Sequence, residues 1–341
     1  MFNRKSEPNL SIVQAISSLI KEEYGESISI LQNNIVNKNK ITNESLLLLG
    51  FLRRKTGDHA KAAQIFELIL GNNDQDKEFN NELMSELALQ YYYGSQYKKS
   101  IDLLNNHSDI LKKYPINYSL LAKNYAALKN WDQALYFHNK YYKSTNNKIY
   151  GFNEKCNISK AIEAQTPSIA IQYLKEALTH NRFNRAANIL MGLYLLKSNK
   201  IQKAVNQFEF VLEHGLLRDE SDFLFAEKAY IAAGKEKELN ELLRKLAFEG
   251  IENPFIHIAL ANFYYNIQEE NEGKNILESY IELPNMKILG AKIYANKTNN
   301  KLIKHLYQNV FNYKCNQCNY ETNTYSDDCQ KCGSFDSLNL K

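Results

Sequence analysis

Residues 46–70 read LLLLGFLRRKTGDHAKAAQIFELIL. Two short helical patterns flank the turn Thr56-Gly57-Asp58. The first carries a small residue, Gly50; twelve positions later comes Ala62, and four further on Phe66. The same template returns as Ala88, Ser100 and Leu104, then as Ala122, Ala134 and His138. It recurs as Gly192, Ala204 and Phe208, and as Ala261, Gly273 and Leu277. Weaker copies centre on Ala15, Ser27 and Leu31, on Ile158, Ala170 and Leu174, and on Glu227, Leu239 and Leu243.

The first marked positions, 15, 50, 88, 122, 158, 192, 227 and 261, are separated by 34 to 38 residues. A two-helix unit of about 34 residues is the tetratricopeptide period. Antiparallel helices approach closely only where both backbones carry small side chains, and Leu or Phe then fills the space against the next unit. Pro8, Pro115 and Pro254 each lie seven residues before a first marked position. Proline is tolerated in a helix's first turn, so these mark helix starts. The expected fold is an all-α tetratricopeptide-repeat superhelix of about eight helix pairs over residues 8–310, with a concave groove suited to peptides or protein segments. Tyr91, Tyr92, Tyr93, Tyr125, Tyr230, Tyr264 and Tyr265 fall on first helices, and are read mainly as packing with one or two groove contacts. His138 takes a Leu/Phe place as a half-buried structural residue, and Trp131 packs by a turn.

The chain of 341 residues carries 42 basic and 38 acidic side chains, too even a balance to argue for nucleic acid. No stretch approaches the ~20 apolar residues of a membrane span. Leu10, Val13, Ile16 and Ile20 follow helical spacing instead. The chain reads as cytoplasmic. No phosphate loop, dinucleotide fingerprint, zincin motif or nucleophile elbow is present, and the chain reads as a non-enzyme. Cys156 stands alone and reads as a small buried residue of a first helix.

The other cysteines crowd into the tail, YKCNQCNYETNTYSDDCQKCGSF at 313–335. Cys315, Cys318, Cys329 and Cys332 form C-x2-C-x10-C-x2-C. Two residues between thiols let both converge on one cation from a tight turn, and two such turns close a tetrahedral four-sulfur shell. Each turn needs a residue tolerant of positive φ: Asn319 after the first pair, Gly333 after the second. Residues 319–328 suit two short strands. Residues 311–341 are therefore expected to be a rubredoxin-type zinc ribbon, its metal ligands Cys315, Cys318, Cys329 and Cys332. Zinc is the cofactor expected; iron satisfies the same donors. A closed four-thiolate shell leaves no open position, which makes the site structural. Residues 313–341 hold three lysines against one Glu and three Asp, a balance opposed to phosphate contact. No Gly/Ser/Pro linker precedes the ribbon, and Leu302, Ile303, Leu306, Tyr307 and Val310 run helically into it. The ribbon is expected to dock on the last helices through Phe311, Tyr313, Tyr320, Tyr325 and Phe335.

Tetratricopeptide repeats followed at once by YKCNQCNY…CQKCGSF resemble the lipopolysaccharide assembly protein B family, from about residue 10 to the end. The spacing between the pairs, Tyr313 two residues before the first cysteine and Phe335 three after the last carry the resemblance. It implies a regulatory adaptor at the cytoplasmic face of the inner membrane. Its partners would be a membrane-anchored ATP-dependent protease and a lipid A pathway enzyme, the committing deacetylase, whose degradation restrains lipopolysaccharide synthesis. Family members begin with a membrane-spanning helix, absent from these residues. Either an anchor precedes them, or the protein reaches the membrane peripherally through partners. Asn319 stands where the family favours glycine. Two rival readings are a general protein-binding scaffold unconnected with proteolysis and an iron-bearing electron carrier.

Overall fold

The computed structural model describes residues 10–38, 42–71, 76–249, 253–283, 287–297, 307, 310 and 312–341. They form two compact units, residues 1–149 and 150–341. In the first, α1 (Leu10–Ile20) pairs with α2 (Tyr24–Lys38) and α3 (Asn43–Lys55) with α4 (His59–Gly71). Then α5 (Lys77–Tyr93) pairs with α6 (Tyr97–Asn106), the short α7 (Ser108–Lys113) follows, and α8 (Ile116–Ala127) pairs with α9 (Trp131–Thr145). In the second unit the pairs are α10 (Phe152–Ile162) with α11 (Pro167–His180) and α12 (Arg185–Lys197) with α13 (Ile201–Glu213). They continue as α14 (Glu220–Ala232) with α15 (Glu236–Phe248) and α16 (Pro254–Asn266) with α17 (Glu270–Ile281). A further helix, α18 (Ile288–Lys297), precedes three strands, β1 (Tyr313–Cys315), β2 (Glu321–Thr322) and β3 (Leu338–Leu340). The fold is a tetratricopeptide-type stack of helix pairs ending in a small sheet.

Every pair holds one copy of the sequence template. Ala15, Ala62, Ala88, Ala122, Ala134, Ala170 and Ala204 have no solvent exposure, nor do the knobs Leu31, Phe66, Leu104, Leu174 and Phe208. Where the second position is serine, its hydroxyl donates across the pair to the first position's carbonyl: Ser27 Oγ to Ala15 O at 2.7 Å and Ser100 Oγ to Ala88 O at 2.8 Å. An independent backbone signature marks the same register. Seven residues after the first marked position, Glu22, Gly57, Ser95, Lys129, Asn199, Gly234 and Gln268 all have φ between 55° and 80°. This left-handed residue closes seven of the eight first helices by the usual C-terminal device, α10 being the exception, although only two of the seven are glycine. Pro115 and Pro254 sit at the starts of α8 and α16 as expected; Pro8 lies outside the described residues. Ala295 of α18 is buried and continues the ladder 34 residues beyond Ala261.

Glycine at the first position pairs with phenylalanine at the third. A Cβ on Gly50 would lie 2.3 Å from the Phe66 ring, and one on Gly192 would lie 2.5 Å from the Phe208 ring. Where the first position is Ala15, Ala88 or Ala261 the third is Leu, and at Ala122 it is His138. The Gly192→Ala variant will therefore be overpacked and less stable by about 1–3 kcal/mol. Gly192→Ala with Phe208→Leu will recover part of that loss, because it recreates the Ala/Leu combination. Urea unfolding of the two single variants and the double variant measures the coupling.

Three features differ from expectation. Val13, Ile16 and Ile20 are 48%, 41% and 77% exposed. Their spacing marks the helix but not its core face, which Ala15 and Ser18 occupy with Ile12 and Leu19 partly buried against them. Position 227 is also irregular: Glu227 is half-buried while Ala226 beside it is fully buried. In the tail, residues 319–328 supply only β2 of the three strands, which lie in the antiparallel order β2-β1-β3. The rest of that stretch carries Asp327 and Asp328 outward to basic groups on the helices, so its backbone leaves the sheet. The helical pattern read at Leu302, Ile303 and Leu306 lies outside the described residues.

Candidate metal centre

Two short turns of near-identical construction hold the four cysteines. In the first, Asn319 N donates to Cys315 O at 3.0 Å, Cys315 N donates to Tyr320 O at 2.8 Å, and Asn319 has φ 58°. In the second, Gly333 N donates to Cys329 O at 2.8 Å, Cys329 N donates to Ser334 O at 2.9 Å, and Gly333 has φ 68°. The structure thus places left-handed residues at both positions named from the sequence. Asparagine supports this conformation better than most residues with a Cβ.

The turns face each other and bring all four sulfurs within 4.8 Å of one another. Cys315 and Cys332 are 3.8 Å apart at Sγ, and Cys318 and Cys329 are 3.7 Å apart. A metal–sulfur bond of about 2.3 Å in tetrahedral geometry requires sulfur–sulfur edges of about 3.8 Å. A disulfide would need about 2 Å. The four cysteines are free thiols placed so that they could hold one metal ion.

The surroundings lower two of the four thiols, Cys315 and Cys332, while burial pushes Cys318 up to about 12. Burial pushes the Cys315 thiol up, but donors from Ser337 Oγ, at 3.3 Å, and the Gln317 and Cys318 amides outweigh it and bring it down to about 6. The Ser334 hydroxyl, 3.3 Å away, and its amide lower the Cys332 thiol despite a smaller opposing effect of burial. Cys156 lies outside the cluster. Burial on α10 pushes its thiol up to about 12, as befits a core residue rather than a nucleophile. In the native protein Cys156 will resist a thiol-reactive dye. Chelator treatment will expose the four tail thiols to the dye first, and denaturant will add the fifth.

The ribbon packs against the starts of several first helices. Phe335 is buried in the helical core of the second unit. It lies so close to Gly151, whose φ is 65°, that a Cβ there would come 2.9 Å from Phe335 O. Tyr313 is buried in β1 and its hydroxyl donates to Arg218 O at 2.7 Å, just before α14. Tyr325 lies under the Arg185 guanidinium, 4.6 Å from the ring centre. Tyr320 instead joins the ribbon's own small core with Cys315, Cys329 and Leu338. Phe311 is outside the described residues. On α18, Lys292 Nζ donates to Val310 O at 2.6 Å, and Ile288 N donates to Lys341 O at 3.0 Å.

The residue that organises this contact is Arg185, the first residue of α12. Its Nε donates to Asp222 Oδ2 at 2.8 Å, and an Nη also reaches the other oxygen of Asp222. Further bonds run to Asp219 at 3.0 Å and to Asp327 of the ribbon at 3.0 Å. The Arg185 backbone amide donates to Asp336 Oδ2 at 3.3 Å. That places a ribbon carboxylate at the N-terminus of α12, where the helix dipole favours negative charge. Nearby, Lys155 Nζ donates to both oxygens of Asp328, at 2.7 and 2.9 Å. Burial pulls the guanidinium down, but Asp222 more than offsets this and holds Arg185 charged. Burial also pushes the Asp222 carboxyl up, against the pull of Arg185 and the Arg218 amide. Nothing in the spacing singled out Arg185 or Gly151. The available signal was the tail's three aspartates, whose charge implied a cationic partner.

Of the other residues named from sequence, His138 is buried more deeply than expected; its Nε2 accepts from Ile149 N at 3.2 Å. Tyr91 and Tyr230 are core residues, Tyr125 stacks on Phe137, and Tyr93 is 56% exposed against His59.

No protein-family model matches the chain, and no curated protein matches it. Many solved structures do. A tetratricopeptide repeat protein from Parabacteroides merdae is 12% identical over 78% of this chain and 97% of its own, with TM-score 0.38. The C-terminal part of a repeat-containing protein from Cytophaga hutchinsonii is 10% identical over 80% and 95%, with TM-score 0.41. A thermophilic repeat protein of Thermus thermophilus is 18% identical over 56% and 100%, with TM-score 0.29.

Proposed function

We propose that this protein is a non-enzymatic adaptor in which residues 8–310 form the repeat module and residues 311–341 a zinc ribbon held by Cys315, Cys318, Cys329 and Cys332. The observation that carries the reading is the Arg185 network, which fixes the ribbon to α12 and α14 by charged side chains rather than leaving it on a tether. A bound cation supplies folding energy that so small a sheet lacks. Helices and ribbon then offer one composite face to protein partners. Zinc is the metal proposed: a colourless protein with stoichiometric zinc supports it. A red protein with a reversible potential would favour the electron carrier.

Following the family resemblance, the partners are a membrane-anchored ATP-dependent protease and the deacetylase that commits precursor to lipid A. The protein works at the cytoplasmic face of the inner membrane and shortens the deacetylase's lifetime. Deleting the gene will lengthen the deacetylase half-life in a pulse-chase, and re-expression will restore it. An unchanged half-life removes the proteolytic role and leaves the general scaffold.

A further inference from the structure

The seventh helix pair carries a small residue at neither of the two marked positions. Where its neighbours place Gly192 and Ala204, or Ala261 and Gly273, it has Glu227 and Leu239. The residue fully buried on α14 at this point is Ala226, one position before the template register. At this place a groove of about 380 Å³ opens between α14, α15 and α16. Leu224 and Ile231 line it while 46% and 52% exposed, and Ile258 and Phe263 face them from α16. The polar lining is two carboxylates, Glu227 and Glu236, with Asn240, Asn262 and Asn266; no lysine or arginine lines the groove. Neither carboxylate forms an ion pair among the described residues.

From this combination we infer that the groove is the docking site for a short segment of another protein that presents apolar side chains beside a lysine or arginine. The inference rests on the adaptor reading and names the place and chemistry of one contact. The apolar lining takes the partner's aliphatic side chains. The two carboxylates select a basic neighbour and repel an acidic one, since like charges across an interface are strongly disfavoured. The lining residues run from Phe223 to Ile231 on α14 and from Phe255 to Asn266 on α16. At 1.5 Å per residue these are edges of roughly 12 to 16 Å, long enough for two anchors.

The test uses the full metal-loaded chain and a labelled synthetic peptide of leucine and arginine, with a leucine–glutamate peptide of equal length as control. Fluorescence anisotropy is expected to show the arginine peptide binding at least about tenfold more tightly. Leu224→Ser with Ile231→Ser should weaken it about tenfold, and Glu227→Lys with Glu236→Lys should reverse the preference. Equal binding of both peptides, or affinity unmoved by either double substitution, overturns the site. Complementing the deletion strain separates this from the wider reading. If the Leu224→Ser, Ile231→Ser chain restores deacetylase turnover, the groove is not the docking site and the adaptor role stands. If the unsubstituted chain has no effect on turnover, the adaptor role falls, and the peptide titration still decides the groove.

Discussion

Cys329→Ser will release the metal and unfold the ribbon while leaving most helical signal intact. Cys329 is buried, and its sulfur lies 3.7 Å from that of Cys318. A hydroxyl in its place is a poor ligand for a thiophilic ion. The folding contribution at stake is roughly 10–16 kcal/mol in small zinc modules. The ribbon has little else: its own core is Tyr313, Cys315, Cys329 and Leu338, with a few partly buried neighbours. The main core of the second unit is built from Ile158 to Leu260 and takes only Phe335 from the ribbon, with Leu340 packed against it. Circular dichroism should therefore lose little helix. Metal analysis should fall to zero, and limited proteolysis should remove the tail at Lys314 or Lys331. A variant that keeps stoichiometric metal would contradict the ligand assignment.

Arg185→Ala will destabilise the second unit by about 3–5 kcal/mol, because it strands a buried carboxylate. Asp222 has no solvent exposure and depends on the guanidinium for two of its bonds. The same substitution removes the bond to Asp327 and the stacking on Tyr325, so the ribbon loses its main anchor. Arg185→Lys will recover only part of the loss, since an ammonium cannot span Asp222, Asp219 and Asp327 together. Denaturant unfolding gives the stability, and metal content distinguishes Arg185→Ala from Cys329→Ser. Arg185→Ala is expected to retain the metal, because no ligand is touched. Loss of metal in that variant would mean that docking, rather than the thiols, organises the cluster.

The fold was legible because each unit repeats one local rule. Gly50 with Ala62 and Phe66, and Gly192 with Ala204 and Phe208, say the same thing a repeat apart, so no single ambiguous segment decides the fold. The cysteine turns were legible for a similar reason: C-x2-C followed by a residue tolerant of positive φ is a complete local instruction, and Asn319 and Gly333 obey it. What escaped was long-range. Arg185 meets Asp327 and Asp336 across 142 and 151 residues, and Lys155 meets Asp328 across 173. No periodicity links such positions. Gly151 belongs to the same class, since the backbone it must admit comes from Phe335. Val13, Ile16 and Ile20 show the opposite limit: apolar spacing identifies a helix, but which face is buried depends on its neighbours.

The most direct test of the metal-dependent docking is hydrogen exchange by mass spectrometry, on the full chain with and without a zinc chelator. Metal removal should deprotect residues 312–341 and, with them, the starts of α10, α12 and α14 around Gly151, Arg185 and Asp222. Protection at α4 and α9 should not change. If chelation leaves the starts of α10, α12 and α14 as protected as before, the metal does not hold the ribbon on the helices, and the composite surface proposed for partner binding does not depend on it.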